Sequence, residues 1–421
     1  MSGGRILIKD GTLIDGTGRE PAAGTAVLIE NGVISATGTA AIRDAAHGPA
    51  VRTIDAGGQY VLPGLIDGHV HLSMVQGTPA GIRFPTSAEH CTLRAAQHLP
   101  TILRAGFTSV LVPGGKWFVD VTLREAVNTG MLEGPRIFAA GRALTPRGGI
   151  FSRHQPPWDQ KLPDDMVGVL CNTLDDYITE TRRQCAAGVN LIKIADSVWG
   201  DTQTVSRAEI AAVVDEAHRR GAKVTIHSRG SGTTRDAALA GVDWIFHADF
   251  ATGDDLDAVA KAGIPIMPTF AQGEIWALHG NDVPQETKDR LKWQLDVNVA
   301  SMQAAKARGI KLLIGTDSGN APVMTIGKWH GYEAAFFVEH LGYSPLEVIT
   351  IQTRDNATVM GLAGKLGTIE PGMIADVIVL DADPTKHIQI LGDPAHVKTV
   401  IKDGREIDLG SQPETRGRLA A

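Results

Sequence analysis

The sequence predicts an α/β protein: a (β/α)8 TIM barrel with a small β-sandwich domain built from both termini. Three observations predict it. The middle of the chain repeats a strand, loop, helix pattern eight times. The two ends share a different pattern, of short β-like runs separated by turn pairs. Histidine, lysine and aspartate side chains stand at the ends of the apolar strands, where such a barrel gathers its active site. A length of 421 residues suits one large barrel plus a small companion.

The opening stretch reads RILIKDGTLIDGTG, then TAVLIENGVISATG. Asp10-Gly11 and Asn31-Gly32 are hairpin signals between alternating apolar runs. The C-terminal end reads LGTIEPGMIADVIVLDADP, then VKTVIKDGREI, with Asp403-Gly404 as a further turn. Residues 1–60 and 364–421 are therefore assigned to one composite sandwich, and 61–363 to the barrel. Barrel strands are expected at Val61–Ile66, Thr108–Val112, Arg136–Ala140, Leu191–Ala195, Lys223–His227, Trp244–His247, Pro265–Pro268 and Lys311–Gly315. Helical segments such as RAEIAAVVDEAHRRGA and TTRDAALAGV follow most of them, and the Ala-rich stretch from Glu286 to Gly309 reads as one long helix before the last strand.

Bulk properties narrow the function classes. A net charge of −7 argues against a nucleic-acid partner, which usually calls for a basic stripe. No apolar run is long enough to span a bilayer, so no membrane role is expected. The segment MSGGRILIKD lacks an apolar signal core, and the protein is expected to be cytoplasmic. Cys91, Cys171 and Cys185 lie far apart and form no zinc knuckle. Any metal must be held by His, Asp or a modified Lys.

The strand ends supply such residues. Side chains alternate along an extended chain, so His69 and His71, after VLPGLID, point the same way. Strand four, NLIKIADS, carries Lys193. Strand five, KVTIHSRG, ends in His227, and strand six, DWIFHADF, in His247. Strand eight, KLLIGTDSG, ends in Asp317. All six are expected to converge at one barrel mouth. Imidazole and carboxylate suit Zn²⁺ and similar divalent ions. A lysine among Leu191, Ile192 and Ile194 is expensive to bury charged. A neutral lysine amine takes up CO₂ to give a carbamate, which bridges two ions as a carboxylate does. The expected cofactors are thus two divalent ions, zinc first, and a CO₂-derived carbamate on Lys193. A bridging hydroxide deprotonated near neutral pH is the expected nucleophile, oriented by Asp317, which carries its proton to the leaving group.

With these residues in place, the chain resembles the amidohydrolase superfamily, in its imidazolonepropionase-like and prolidase-like branch with binuclear metal centres. The resemblance covers nearly the whole chain, including LGTIEPGMIADVIVLDADP. It implies that His69, His71 and Asp317 bind the more buried ion, His227 and His247 the other, and carboxylated Lys193 both. It also implies a homo-oligomer. One departure stands out. Many prolidase-like members carry a Gly-Gly-His segment after strand three, and here Ile150 falls where that histidine would be, with His154 four residues later. Dipeptide specificity is therefore not carried over.

Candidate substrate contacts are Arg229, two residues after His227, His154 on the long loop after strand three with Arg153 and Trp158, and His330 with Trp329. Glu333 is placed either against the substrate or as a helix anchor. The function expected is hydrolysis of an amide-type C–N bond in a small molecule: an N-acyl amino acid, dipeptide, lactam or carbamate. A deaminase of amino-heterocycles is the alternative within the superfamily. Such relatives commonly use one metal and place an acid shortly after the strand-five histidine, whereas SRGSG after His227 holds none. A non-catalytic binding protein on the same fold is the alternative from another class, and the intact ligand set argues against it.

Overall fold

The computed structural model describes residues 4–74, 87–152, 158, 161–163, 166–280, 283–320 and 323–410. Eight parallel segments close a ring. Leu65–Asp67, Phe107–Val112 and Arg136–Ala139 pair in order. A bridge from Ala140 to Leu191 leads to Leu191–Ala195, Lys223–Ser228, Trp244–His247 and Ile266–Met267. Ile266 bridges to Leu312, and the Gly68 N–H donates to the Ile314 carbonyl at 3.1 Å, which joins the eighth segment to the first. The expected order and direction of all eight are found.

The alternation along these strands sorts the core. Leu191, Trp244, Phe246, Met267 and Leu313 pack together inside the ring. Their neighbours Ile192, Ile194, Val224, Ile226 and Ile245 face the helical layer. Lys193, two residues from Leu191, thus falls on the interior side. Among the helices are Leu174–Ala186, Arg207–His218, Thr233–Ala240, Gly253–Ala262 and the expected long one, Gln285–Ala307. No described helix is long and apolar enough to cross a membrane.

The two ends of the chain meet in one eight-stranded sheet. Its path runs Arg405–Glu406, Val397–Lys402, Val377–Leu380, Tyr60–Pro63, Arg5–Leu13, Ala22–Glu30, Val33–Thr37, with Val51–Asp55 paired beside Arg5–Leu13. One face packs Ile6, Ile8, Val27, Ile29, Val377, Val379 and Ile401 into a core of its own. Leu7 and Leu28 point the other way, against helix Gly38–Ala46.

Three local expectations need correction. The run 61–66 is not one strand. Tyr60–Pro63 belongs to the terminal sheet and Leu65–Asp67 to the barrel, with the turn-over at Gly64. A Cβ there would lie 2.2 Å from Thr108 Oγ1, and Pro63 has no N–H to continue the ladder. Asp10-Gly11 is not a hairpin either. Arg5–Leu13 runs through it, and the left-handed Asp10 (φ 59°) makes a bulge between Ile8 and Gly11. Asn31-Gly32 and Asp403-Gly404 are the turns expected, each with two positive φ angles. Finally, the loop after strand three contains extended pieces: Ala143–Thr145 pairs with Gly168–Leu170 and touches strand four at Ile194.

Two buried polar groups hold the parts in place. Arg136 of strand three donates to Asp376 at 2.8 Å and to Asp403, tying the barrel to the terminal sheet. Glu333, fully buried at the start of helix Tyr332–Leu341, accepts the N–H groups of Phe270 at 2.9 Å and Ala271 at 2.7 Å. It pins the first turn of helix Phe270–His279, so the helix-anchor role is the one the structure supports.

Arg136→Ala is expected to cost about 3–5 kcal/mol, because it leaves buried Asp376 without its guanidinium. A lower urea midpoint at unchanged slope checks this. Burial pushes the Glu333 carboxyl up to about 8 despite its two N–H donors. The native state therefore keeps this proton where the unfolded chain, near 4.5, has lost it. This group's contribution to stability is full at low pH and declines as pH rises from about 4.5 to about 8. Glu333→Gln is expected to flatten that slope, as read from unfolding midpoints at pH 5 and pH 8.

Candidate metal centre

The end of strand one is brought against the end of strand eight by close backbone approach. The Asp317 N–H donates to the His69 carbonyl at 2.7 Å, and the His71 N–H to the Ser318 carbonyl at 2.7 Å. A Cβ at Gly319, where φ is +90°, would lie 2.0 Å from the His71 oxygen, so only glycine fits there. Asp317 itself has φ 58°, Thr269 56°, and the consecutive His247 and Ala248 72° and 58°. Non-glycine residues rarely adopt this region, and each such position costs on the order of 1–3 kcal/mol. Here they mark the ends of strands six, seven and eight, where the turn of the chain aims side chains at the barrel centre.

The result is one cluster. His69 Nε2 and His71 Nε2 are 3.2 Å apart, and Asp317 Oδ1 lies 3.4 Å and 3.0 Å from them. These three residues could hold one metal ion. The His247 ring centre is 5.8 Å from that of His69 and 4.3 Å from that of His227. Lys193 Nζ sits 3.9 Å from the centre of the Phe246 ring, which itself packs 4.1 Å from His69. All six strand-end residues expected from the sequence line one cavity of about 370 Å³.

Neighbouring groups set the tautomers. His71 Nδ1 lies 2.6 Å from the Gly114 carbonyl, which can only accept, so its proton is on Nδ1 and its lone pair on Nε2. Thr269 Oγ1 donates to the Pro268 carbonyl and must accept from His247 Nδ1 at 2.6 Å. That leaves His247 Nε2 as a lone pair, buried and without a partner among the described residues. His227 Nε2 faces the Ser197 carbonyl at 3.2 Å. Burial, foremost, holds His69, His227 and His247 well below the usual histidine range. Burial also lowers the Lys193 amine to about 7, with Asp317 pulling it up and Arg229 pushing it down. His71 Nε2 and Asp317 Oδ1, two acceptors 3.0 Å apart, and the bare Nε2 of His247 in the same cavity form an acceptor set that a divalent cation satisfies. On that ground the residues present fit a metal.

Asp67 supports the cluster from behind. It accepts the N–H groups of His69 at 3.0 Å and Thr316 at 3.1 Å, and the Thr316 hydroxyl at 2.7 Å. Its fourth contact is His330 Nδ1, 2.7 Å away.

The substrate contacts proposed from sequence fare less evenly. Arg229 lines the cavity, but its guanidinium is engaged by buried Asp249 and by Gln272 Oε1 at 2.9 Å. His330 does not reach the cavity. It is fully buried against Asp67 and Phe107, because the turn after residue 326 directs it behind strand one. Trp329 is likewise buried, donating to the Val323 carbonyl at 2.7 Å. His154 and Arg153 lie outside the described residues, and Trp158 is exposed. Ile150, in place of the prolidase-type histidine, lines the cavity.

Other wall residues were not foreseen. Gln272 and Trp276 come from one helix, and Thr287, Leu291 and Gln294 from the next; Val198 and Trp199 come from the loop after strand four. The 287, 291, 294 spacing is one helix face, but sequence alone does not say which face a helix turns to a cavity.

A family model described as "Amidohydrolase family" matches residues 60–407. The ochratoxinase of Aspergillus niger is 26% identical over 426 residues, 95% of this chain and 86% of that protein. The imidazolonepropionase of Mesorhizobium japonicum is 26% identical over 402 residues, 89% and 90% of the two chains. A crystal structure of a Xaa-Pro dipeptidase with methionine bound in its active site superimposes with a TM-score of 0.83 at 27% identity. It covers 96% of this chain and 99% of that one. The barrel, the His-His-Asp group and these likenesses agree: the chain belongs to the amidohydrolase family, metal-dependent hydrolases of carbon–nitrogen bonds.

Proposed function

We propose that this amidohydrolase cleaves an amide C–N bond in a small, largely apolar molecule, using two divalent ions, zinc first, joined by a carbamate on Lys193. The observation that carries the reading is the convergence of His69, His71, Asp317, His227, His247 and Lys193 on one cavity. The relatives' names, an ochratoxinase, an imidazolonepropionase and a Xaa-Pro dipeptidase, are consistent with an amide-type bond but differ in substrate.

His69, His71 and Asp317 would hold one ion, His227 and His247 the second. When bound, such ions lower the pKa of coordinated water to about 7 and polarise a carbonyl oxygen. The protein's own residues do the rest. Lys193 is buried and, with its amine lowered to about 7, substantially neutral at neutral pH. It can add to CO₂, forming one N–C bond and releasing one proton, to give a carbamate anion with two oxygens. Among the described residues Asp317 Oδ1 has no hydrogen-bond donor, which supports a role in taking a proton from the attacking water and passing it to the leaving nitrogen. Met74, Phe151, Val198, Trp199, Trp276 and Leu291 supply an apolar wall that limits water. A deaminase is not favoured, since the described cavity wall contains Asp317 as its one carboxylate and no glutamate.

Metal analysis of active protein is expected to give about two divalent ions per chain. Lys193→Ala is expected to lose metal and to lower kcat/KM by about a hundredfold or more, with partial recovery in added short-chain carboxylate. Active protein free of stoichiometric metal would sink the proposal. Asp317→Asn is expected to lower kcat by about 10²- to 10⁴-fold in an amide-substrate screen. An unchanged kcat would remove Asp317 from the proton transfer.

A further inference from the structure

The cavity has a polar end that the proposed chemistry does not use. Arg229, Asp249, Gln272 and Gln294 form one hydrogen-bonded chain. Arg229 donates to Asp249 and, at 2.9 Å, to Gln272 Oε1; Gln294 Nε2 donates to Asp249. Charge partners fix both amide orientations. A carboxylate only accepts, so Gln294 must turn its nitrogen to Asp249. A guanidinium only donates, so Gln272 must turn its oxygen to Arg229. What each glutamine has left is therefore determined. Gln294 keeps a carbonyl oxygen, Oε1, which is buried and, among the described residues, unpartnered, on a side chain that is itself 5% exposed. Gln272 keeps its Nε2 donor. Trp276, one turn after Gln272 on the same helix, adds an indole N–H that has no partner among the described residues. All three side chains line the cavity that holds the metal-ligating residues.

A buried carbonyl with no donor costs about 1–3 kcal/mol, and a bound group that supplies an N–H removes that cost. On the cavity wall the set offers one acceptor, Gln294 Oε1, with the N–H donors of Gln272 and Trp276 and the remaining N–H groups of Arg229, whose charge is offset by buried Asp249. A carboxylate would satisfy the donors but repel Gln294 Oε1. An ester would leave Gln294 unmet. A carboxamide offers a carbonyl to Gln272 and Trp276 and an N–H to Gln294.

From this pattern we propose that Gln272, Gln294 and Trp276 form a specificity subsite for an uncharged carboxamide or ureide group, distal to the scissile bond, on an otherwise apolar substrate. Arg229 is a positioning residue that orients Gln272; it is not a carboxylate anchor. This rests on reading the cavity as the substrate site, and it names the substrate class that site accepts.

The test uses the full chain and three matched probes: N-acetyl-L-phenylalaninamide, N-acetyl-L-phenylalanine and its methyl ester. Binding is titrated on chelator-treated protein, and hydrolysis is followed on metal-loaded protein. The carboxamide is expected to bind about tenfold or more tighter than either analogue. Gln294→Leu and, separately, Gln272→Leu are expected to bring that ratio close to one, with the unfolding midpoint monitored in each. Tighter binding of the free acid would return Arg229 to the role of carboxylate anchor and overturn the proposal. No binding of the carboxamide, or a preference that survives both substitutions, overturns it as well. Discrimination without turnover would count against the hydrolase reading alone, and turnover without discrimination against this one alone.

Discussion

Removal from water of a set of groups that can mostly only accept is the constraint on which the site depends. His69, His71, His227, His247 and Asp317 are each less than a tenth exposed, and His71 Nε2, His247 Nε2 and Asp317 Oδ1 are acceptors with no donor among the described protein groups outside the cluster. Left without a cation, such a cluster is unfavourable, since buried acceptors lose water and gain nothing. Burial also holds the imidazoles of His69, His227 and His247 well below the usual histidine range and lowers the Lys193 amine to about 7, which favours the neutral form that ligates metal or takes up CO₂. Affinity for metal and cost of burial therefore have one origin. The barrel tolerates the cost because the interior below the site is close-packed with Trp244, Phe246, Met267 and Leu313.

Around that cluster the structure places a shell that locks rather than reacts. Gly114, Thr269 and Asp67 settle which nitrogen of a histidine bears a proton or where its backbone lies. The left-handed turns at His247, Ala248, Thr269 and Asp317 are held against their own conformational preference. Strain of that kind persists only where surrounding contacts over-determine it. Glu333 illustrates the point. By accepting two N–H groups of helix Phe270–His279 it fixes the residue before that helix, Thr269, and through it the His247 ring.

The outer half of the cavity obeys a different logic. Two helices inserted between strands seven and eight lay Gln272, Trp276, Leu291 and Gln294 over the barrel mouth. Their polar atoms are arranged by a neutralised Arg229–Asp249 pair. Specificity at this end is then a matter of matching donors and acceptors, whereas chemistry at the other end is a matter of charge.

Much of this was legible in the chain. Alternation along a strand placed His69 beside His71 and Lys193 on the interior side. The βα repeat gave eight strands in their observed order, and the like-patterned ends pointed to one small β domain shared by both termini, read as a sandwich where the strands join in a single eight-stranded sheet. These are short-range regularities, with a period of two in strands and about 3.6 in helices, and they need no knowledge of distant contacts. Contacts across hundreds of residues are not written that way. Arg229 looks like an available cation until Asp249 and Gln272 meet it. His330 looks like a mouth residue until Asp67, 263 positions earlier, claims it. The split at Gly64, the bulge at Asp10-Gly11 and the roles of Thr269, Gln272 and Gln294 likewise arise from neighbours remote in sequence. The sequence by itself determined which groups could do chemistry and at which strand ends they sit. Tertiary structure alone decided which of them stay unpaired, because pairing depends on what packing brings within hydrogen-bond reach.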